Sequence, residues 1–252
     1  MTTSIHAIIP ARFQSSRFEG KPLALIQGKP MIQHVVERAS ASAQLNQVVV
    51  ATDDERIARA VEAFGGQWVM TRSDHDSGTD RLAEAAERLG INDEDVIVNI
   101  QGDQPLFAPE IVAQVAGPML EDPELPMATL IYRITRPEEI TNPNHVKTVF
   151  DQTGRALYFS RAAIPHCRDG ANALGMYYRH LGFYAYRKKF LNTFVSLPMG
   201  QWERLEKLEQ LRALEYGYTI RVVLTSHDSI EVDTPEDIQK VEEMLAKTQA
   251  RS

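Results

Sequence analysis

Between residues 5 and 119, short apolar runs alternate with amphipathic stretches of helical period, and few folds accept that pattern. IHAIIP (5–10), VVVAT (48–52), QWVM (67–70) and VIVNI (96–100) read as strands, the last as one buried on both faces. The spacing predicts a helix over 31–43, with Met31, Val35, Val36 and Ala39 on one face. It predicts a second over 55–64, capped by Asp53, with Ile57, Val61 and Phe64 inward and Gly65-Gly66 ending it. A third runs over 79–89, and a fourth from Pro109 to about Met119. Strands that alternate with helices in this way form a parallel sheet with right-handed crossovers. The expected fold is therefore α/β, a Rossmann-like, open and mostly parallel sheet with helices on both faces.

The second half changes character. MATLIYRI (127–134), HVKTVF (145–150) and ALYFS (156–160) read as strands joined by irregular loops, an antiparallel excursion or a dimer-forming arm. RHLGFYAYR (179–187) returns to strand. A helix is expected over 201–216 with leucines at 205, 208, 211 and 214, then a strand over 219–225 and a closing helix with Pro235 in its first turn. With no internal repeat and no clear linker, one domain with an inserted arm is the simplest account. Its parts are a first at about 1–120, a second at about 121–200 and a closing one at 201–252.

Loops at the carboxyl ends of strands in such sheets are where ligands bind. The first is also the most charged. In IIPARFQSSRFEGKP (8–22) a strand feeds Arg12, Arg17 and Lys21, three cations that repel one another unless an anion lies between them. Guanidinium and ammonium groups neutralise phosphate oxygens, so the loop reads as a triphosphate grip; the competing reading is a solvated basic loop. QGDQP (101–105) places Asp103 directly after the strand 96–100, where a carboxylate suits Mg²⁺ or simply closes an Asx turn before proline. SGTDR (77–81) opens a helix: Ser77 or Thr79 caps it, Gly78 admits a close backbone approach and Arg81 adds a planar fork, or the whole is a plain cap. Asp233 precedes the closing helix, as an ordinary cap or as a second metal-ligating carboxylate. His180, Tyr184, Glu209 and Gln210 mix donors and acceptors as a polyol ligand requires, although a lone histidine beside a strand is more often a core group.

Composition removes other classes. A net charge of −7 argues against nucleic-acid binding without forbidding a local cationic pocket. The single cysteine, Cys167, forms no intrachain disulfide and stands in no nucleophilic constellation. There is no signal peptide and no apolar run near the roughly 20 residues that span a bilayer, so a cytoplasmic protein without membrane insertion is expected. G-x-x-x-x-G-K-[ST] and G-x-G-x-x-G are both missing, which excludes a P-loop ATPase and disfavours a dinucleotide oxidoreductase.

Eight ordered blocks closely resemble the CMP-Kdo synthetases, the 3-deoxy-D-manno-octulosonate cytidylyltransferases. They are IIPARFQSSRFEGKPLALIQGKPMIQHVVERA, ATDDERI, HDSGTDRLAE, VNIQGDQP, YFSRAAIP, RHLGFYAYR, LEQLRALEYG and VDTPED, which together run from about residue 5 to 245. The resemblance implies Mg²⁺-dependent transfer of CMP from CTP to the anomeric hydroxyl of Kdo, which releases diphosphate and supplies lipopolysaccharide synthesis. It implies a homodimer whose second-half arm helps form the interface. It assigns Arg12 and Lys21, with Arg17 close by, to the triphosphate. Ser77, Gly78 and Arg81, with Gln101 beside them, go to cytosine and ribose. Asp103 and Asp233 become the metal pair, and His180, Tyr184, Glu209 and Gln210 the sugar pocket, with Arg161 near it. No protein nucleophile is needed, since the sugar hydroxyl itself attacks the α-phosphorus.

The sequence departs from the usual family pattern at three places. Gln104 stands where QGDEP has glutamate, Glu231 where a glycine precedes VDTPED, and Glu19 where proline is common. QGDQP and SIEVDTPED are similar to the branch that uses 8-amino-3,8-dideoxy-manno-octulosonate, whose ammonium a new carboxylate would favour. CMP-sialate synthetase and a non-catalytic nucleotide-binding protein are the remaining alternatives.

Overall fold

The computed structural model describes residues 3–14, 18–168 and 174–249, the last three by main chain only. From β1 (Ile5–Ala11) the chain makes a 3-10 turn (Lys21–Leu23) and a small hairpin of β2 (Leu25–Ile26) and β3 (Lys29–Pro30). It then alternates α1 (Met31–Ser40), β4 (Gln47–Thr52), α2 (Glu55–Ala63), β5 (Gln67–Met70), α3 (Gly78–Arg88), β6 (Val96–Asn99) and α4 (Glu110–Glu121). Next come β7 (Met127–Arg133), α5 (Pro137–Thr141), β8 (Lys147–Phe150), β9 (Ala156–Ser160) and β10 (Tyr178–Arg187). The chain closes with α6 (Lys188–Ser196), α7 (Gln201–Glu206), α8 (Gln210–Glu215), β11 (Ile220–Thr225) and α9 (Pro235–Gln249).

The strands form a sheet in the order β11-β7-β10-β6-β1-β4-β5. β1 pairs in parallel with both β4 and β6, β4 with β5, and β11 with β7. β10 runs antiparallel between β6 and β7, and β8 and β9 hang from it as an antiparallel arm. Chain order reverses at β1, which sends successive crossovers outward on either side and opens a crevice above its carboxyl end.

Strand alternation sorts the core into two layers. Ile5, Ala7, Ile9 and Ala11 of β1 face a cluster with Ile32 and Val35 of α1, Val61 of α2 and Ile111 and Val115 of α4. Ile8 faces the other way, toward Leu82 and Ala85 of α3, Phe190 and Phe194 of α6 and Leu211 of α8. Each fully buried residue of this kind contributes about 1.5–3 kcal/mol. A third, smaller cluster matters for function. Ile26, Met31, Val232 and Val241, with Phe18 and Leu106 against them, pack α9 onto the hairpin and so bring the end of the chain back to its beginning.

Several expectations need correction. The cap of α2 is Asp54, whose side chain accepts from the Arg56 N–H; Asp53 turns inward instead. α1 stops at Ser40 rather than at 43. The helix expected over 201–216 is two, α7 and α8, broken by Lys207 in the left-handed region (φ 54°). The break lets Arg212 bond the buried Glu203 through two hydrogen bonds of 2.7 and 2.6 Å. α5 and α6 lie outside the expected elements and neither has a side-chain cap, although α6 buries Phe190, Leu191 and Phe194 along one face. No described helix is long and apolar enough to cross a membrane.

Candidate active site

A cleft of about 260 Å³ lies above β1 and is lined by Arg12, Lys21, His75, Ser77, Gly78, Arg81, Gln101 and Asp103, among others. Gly20 shapes one wall. It sits at φ 69°, its N–H donates to the Phe13 carbonyl at 2.9 Å, and the turn that follows aims Lys21 inward. Gly102 shapes the floor: a Cβ there would stand 3.1 Å from the Pro10 carbonyl oxygen, so a side chain would push the segment before Asp103 back from β1.

The central feature is one ammonium between two carboxylates. Lys21 Nζ donates to Asp103 Oδ2 at 2.6 Å and to the Val232 carbonyl at 2.9 Å, and lies 3.7 Å from Asp233 Oδ1. The Val232 N–H donates to the Asp103 carbonyl at 2.9 Å, so the two aspartates are locked to one another through the main chain. They are 130 positions apart in sequence and meet because the third cluster docks α9. No group of three or more His, Cys, Asp or Glu side chains able to hold a metal ion occurs among the described residues. Two hard carboxylates converging on a cation are nevertheless the donor type that Mg²⁺ takes when substrate phosphates complete its shell, and the Lys21 ammonium marks that position.

The sequence-derived candidates fall into three groups. Arg12 is exposed, with no ion pair to any described residue. Arg17 lies outside the described residues. Ser77 caps α3 in a reciprocal box with Asp80, and Gly78 passes beside Pro10. Arg81 is anchored rather than free: at 3 % exposure it bonds Asp53 Oδ2 at 3.0 Å, the Thr71 hydroxyl and the Arg72 carbonyl. Arg161 gives its donors to the main-chain carbonyls of Glu206, Pro143 and Lys207, tying β9 to the α7–α8 junction instead of opening into the cleft.

His180, Tyr184, Glu209 and Gln210 gather on the other side of β6. β10 is irregular there, with four steps from His180 to Tyr184 against two on β7, and Gly182 takes φ 71°. Such irregularities re-aim side chains beside sites. The rings of His180 and Tyr184 lie 5.0 Å apart. Thr129 gives its hydroxyl proton to the Phe183 carbonyl at 2.7 Å, so His180 Nε2, 2.9 Å away, is the donor to its oxygen. Burial pushes the His180 imidazole down to about 3. Burial, aided by Tyr186, Glu209 and Glu231, pushes the Tyr184 phenol well above its ordinary range. Glu209 is raised by burial, against the opposing bond from Thr79 and the charge of Arg212.

Residues that the sequence reading noted only as departures, or not at all, complete this side. Gln104, almost fully buried, donates to the Leu181 carbonyl at 3.0 Å and to Glu231 Oε1 at 3.1 Å. Two of the three departures from the family pattern thus touch, 127 positions apart. Burial of the Glu231 carboxyl, then the charges of Asp103 and Asp233, push it up to about 7, although the residue keeps open surface. Asn99 Oδ1, Gln104 Oε1, Gln210 Nε2 and Arg179 Nε are buried without a hydrogen-bond partner among the described residues. Asp53 and Asn99 were findable: each sits at or just beyond the carboxyl end of a predicted strand, the position that marked Asp103.

A family model described as cytidylyltransferase matches residues 6–222. The chain belongs to the cytidylyltransferase family. It is 60 % identical over 241 residues to the 3-deoxy-manno-octulosonate cytidylyltransferase of Syntrophus aciditrophicus, covering 96 % of this chain and 97 % of that one. It is 55 % identical over 244 residues to the 8-amino-3,8-dideoxy-manno-octulosonate cytidylyltransferase of Shewanella oneidensis, covering 96 % and 99 %. A CMP:2-keto-3-deoxy-manno-octonic acid synthetase solved in complex with CTP superposes with a TM-score of 0.91 at 44 % identity, over 98 % of this chain and 100 % of the other. The sheet of this cytidylyltransferase is therefore that of a nucleotide-sugar transferase.

Proposed function

We propose that this cytidylyltransferase transfers CMP from CTP to the anomeric hydroxyl of a 3-deoxy-manno-octulosonate, releasing diphosphate, and so supplies activated sugar for lipopolysaccharide synthesis. The observation that carries the reading is the convergence of Asp103 and Asp233, 130 positions apart, on Lys21 beside the cationic loop. An anionic sugar must approach a triphosphate bearing nearly four negative charges, and repulsion is the first barrier. Arg12 and Lys21 neutralise the β- and γ-phosphates and take up the charge that builds on the leaving diphosphate. Asp103 and Asp233 would hold Mg²⁺, which when bound supplies Lewis-acid neutralisation of phosphate and sugar oxygens. Ser77, Gly78, Arg81 and Gln101 border the base and ribose. His180, Tyr184, Glu209 and Gln210 orient the sugar, and buried polar atoms without a partner, each costing about 1–3 kcal/mol, suit a polyol that would satisfy them. No side chain becomes covalently attached.

The acceptor is Kdo or its 8-amino-8-deoxy analogue. The Gln104–Glu231 contact favours the second: it holds a carboxylate at the mouth of the sugar side, where a sugar ammonium would pair with it. We further propose a cytoplasmic homodimer formed through the arm, since Leu157 of the edge strand β9 and Trp202 and Leu205 of α7 are exposed, Leu205 at 75 %. The test is diphosphate release from CTP and Mg²⁺ with each sugar side by side. Release with one or both supports the transfer and ranks the acceptors; release with neither refutes it.

A further inference from the structure

The cleft contains a histidine to which the mechanism gives no task. His75 lies in the loop between β5 and α3, two residues before the Ser77 cap, and lines the cleft with a side chain only 5 % exposed. Its Nε2 bonds Glu84 Oε2. Glu84 is fixed in turn: Arg72 N–H donates to Oε2 at 3.0 Å, and Arg88 holds Oε1 at 2.8 Å. Burial would raise the Glu84 carboxyl, but the bonds from Arg72, His75 and Arg88 outweigh it and hold it down to about 2. An ionised carboxylate only accepts, so Nε2 carries the proton. In the neutral ring Nδ1 is then a bare acceptor, and it has no partner among the described residues.

The sheet orders the cleft. The loops after β6 and β1 carry Asp103 and Lys21, whereas the loop after β5, beyond β4, carries His75. His75 therefore stands at the end away from the carboxylate pair, on the side that Ser77 and Arg81 border.

We propose that His75 reads the nucleotide base, its Nδ1 accepting a hydrogen bond from the exocyclic 4-amino group of cytosine. The inference rests on the nucleotide orientation of the proposed transfer reaction. Cytosine presents an N–H donor at that position, and uracil presents a carbonyl oxygen there. Nδ1 opposite that oxygen sets lone pair against lone pair and leaves a buried acceptor unpaired, so UTP is rejected. Glu84 is a positioning residue, since it fixes the tautomer without touching the base.

The test compares kcat/KM for CTP and UTP in the wild type and in His75→Phe, which keeps a flat ring and removes the acceptor. The expected result is a CTP:UTP ratio lowered by about tenfold or more, through a higher KM for CTP, with the KM for the sugar unchanged. An unchanged ratio, or equal losses with both nucleotides, overturns the proposal and leaves His75 a loop anchor. Histidine nitrogen NMR on the unaltered protein gives a second answer in mildly alkaline buffer. Nδ1 should be unprotonated in the free protein and should shift with CTP but not with UTP. A protonated Nδ1, or no CTP-specific shift, overturns the proposal. Because the NMR measurement needs binding only, it decides the role of His75 even if no sugar is ever coupled.

Discussion

The two sides of the site use polar groups in opposite ways. On the nucleotide side, above β1, groups work through charge: Arg12 has no ion pair to any described residue, Lys21 bridges Asp103 and Asp233, and Glu84 is held ionised. On the sugar side, above β10, burial drives groups toward neutrality: His180 falls to about 3, while Glu209, Glu231 and Tyr184 rise. The lesson is a division of labour. A triphosphate is bound by fixed charge, which acts at a distance and tolerates water. A polyol is bound by neutral donors and acceptors, which discriminate only when they are dry.

The largest expected effect breaks the charged side. Asp103→Asn should lower kcat about a hundredfold to a thousandfold and leave the KM for CTP nearly unchanged, because the lost charge matters most where charge develops. Diphosphate release measures both constants, and near-normal turnover would remove the proposed metal role. Two arginines sharpen the same point. Arg12→Ala should raise the KM for CTP on the order of tenfold at unchanged urea midpoint, because Arg12 is exposed with no ion pair to a described residue. Arg81→Met should instead cost about 2–3 kcal/mol of stability, since it strips Asp53 of its partner. Equal urea midpoints for the two variants would erase the distinction between ligand cation and scaffold cation.

The same division decided what could be read from sequence. On the nucleotide side each strand is an apolar run, so Arg12 and Asp103 stand out as candidates directly after strands, while Lys21 stands out by its cationic loop and Ser77 by the helix start it caps. Even there, Asp53 reads as a helix cap in sequence but pairs with Arg81 in the structure, because capping and ion pairing call for the same residue type. On the sugar side the signal is long-range. The contact of Gln104 with Glu231 spans 127 positions, and the break at Lys207 brings Arg212 onto Glu203 across two helices that the sequence pattern reads as one. Local periodicity carries none of that.

His180 offers a test of dryness that needs no substrate. Its folded-state value is about 3 against an ordinary 6.5, so between those values the unfolded chain binds a proton that the native one does not. Stability should therefore fall as pH is lowered through that window, by up to about 1.4 kcal/mol per pH unit at full differential protonation. His180→Gln keeps a donor for Thr129 and should flatten the slope in urea titrations just below pH 6.5. An unchanged slope would mean that water reaches the ring.

The smallest effect concerns a contact that joins both sides. Glu231 faces Gln104 on the sugar side and feels Asp103 and Asp233 on the other. Gln104→Glu alone sets two carboxylates about 3 Å apart, as the present 3.1 Å contact implies, and should depress turnover with either sugar. Adding Glu231→Gly removes the clash and restores the family pattern, so the double variant should exceed the first single one. Such coupling is the mark of residues that share one interaction. The acceptor preference should move as well, by about tenfold toward Kdo, since the counter-charge for a sugar ammonium is shifted from exposed residue 231 to buried residue 104 while a hydroxyl loses little. Additive effects with an unmoved preference would make the contact a packing detail. A shifted preference without coupling would assign the choice of sugar to Glu231 alone, with Gln104 merely holding it in place.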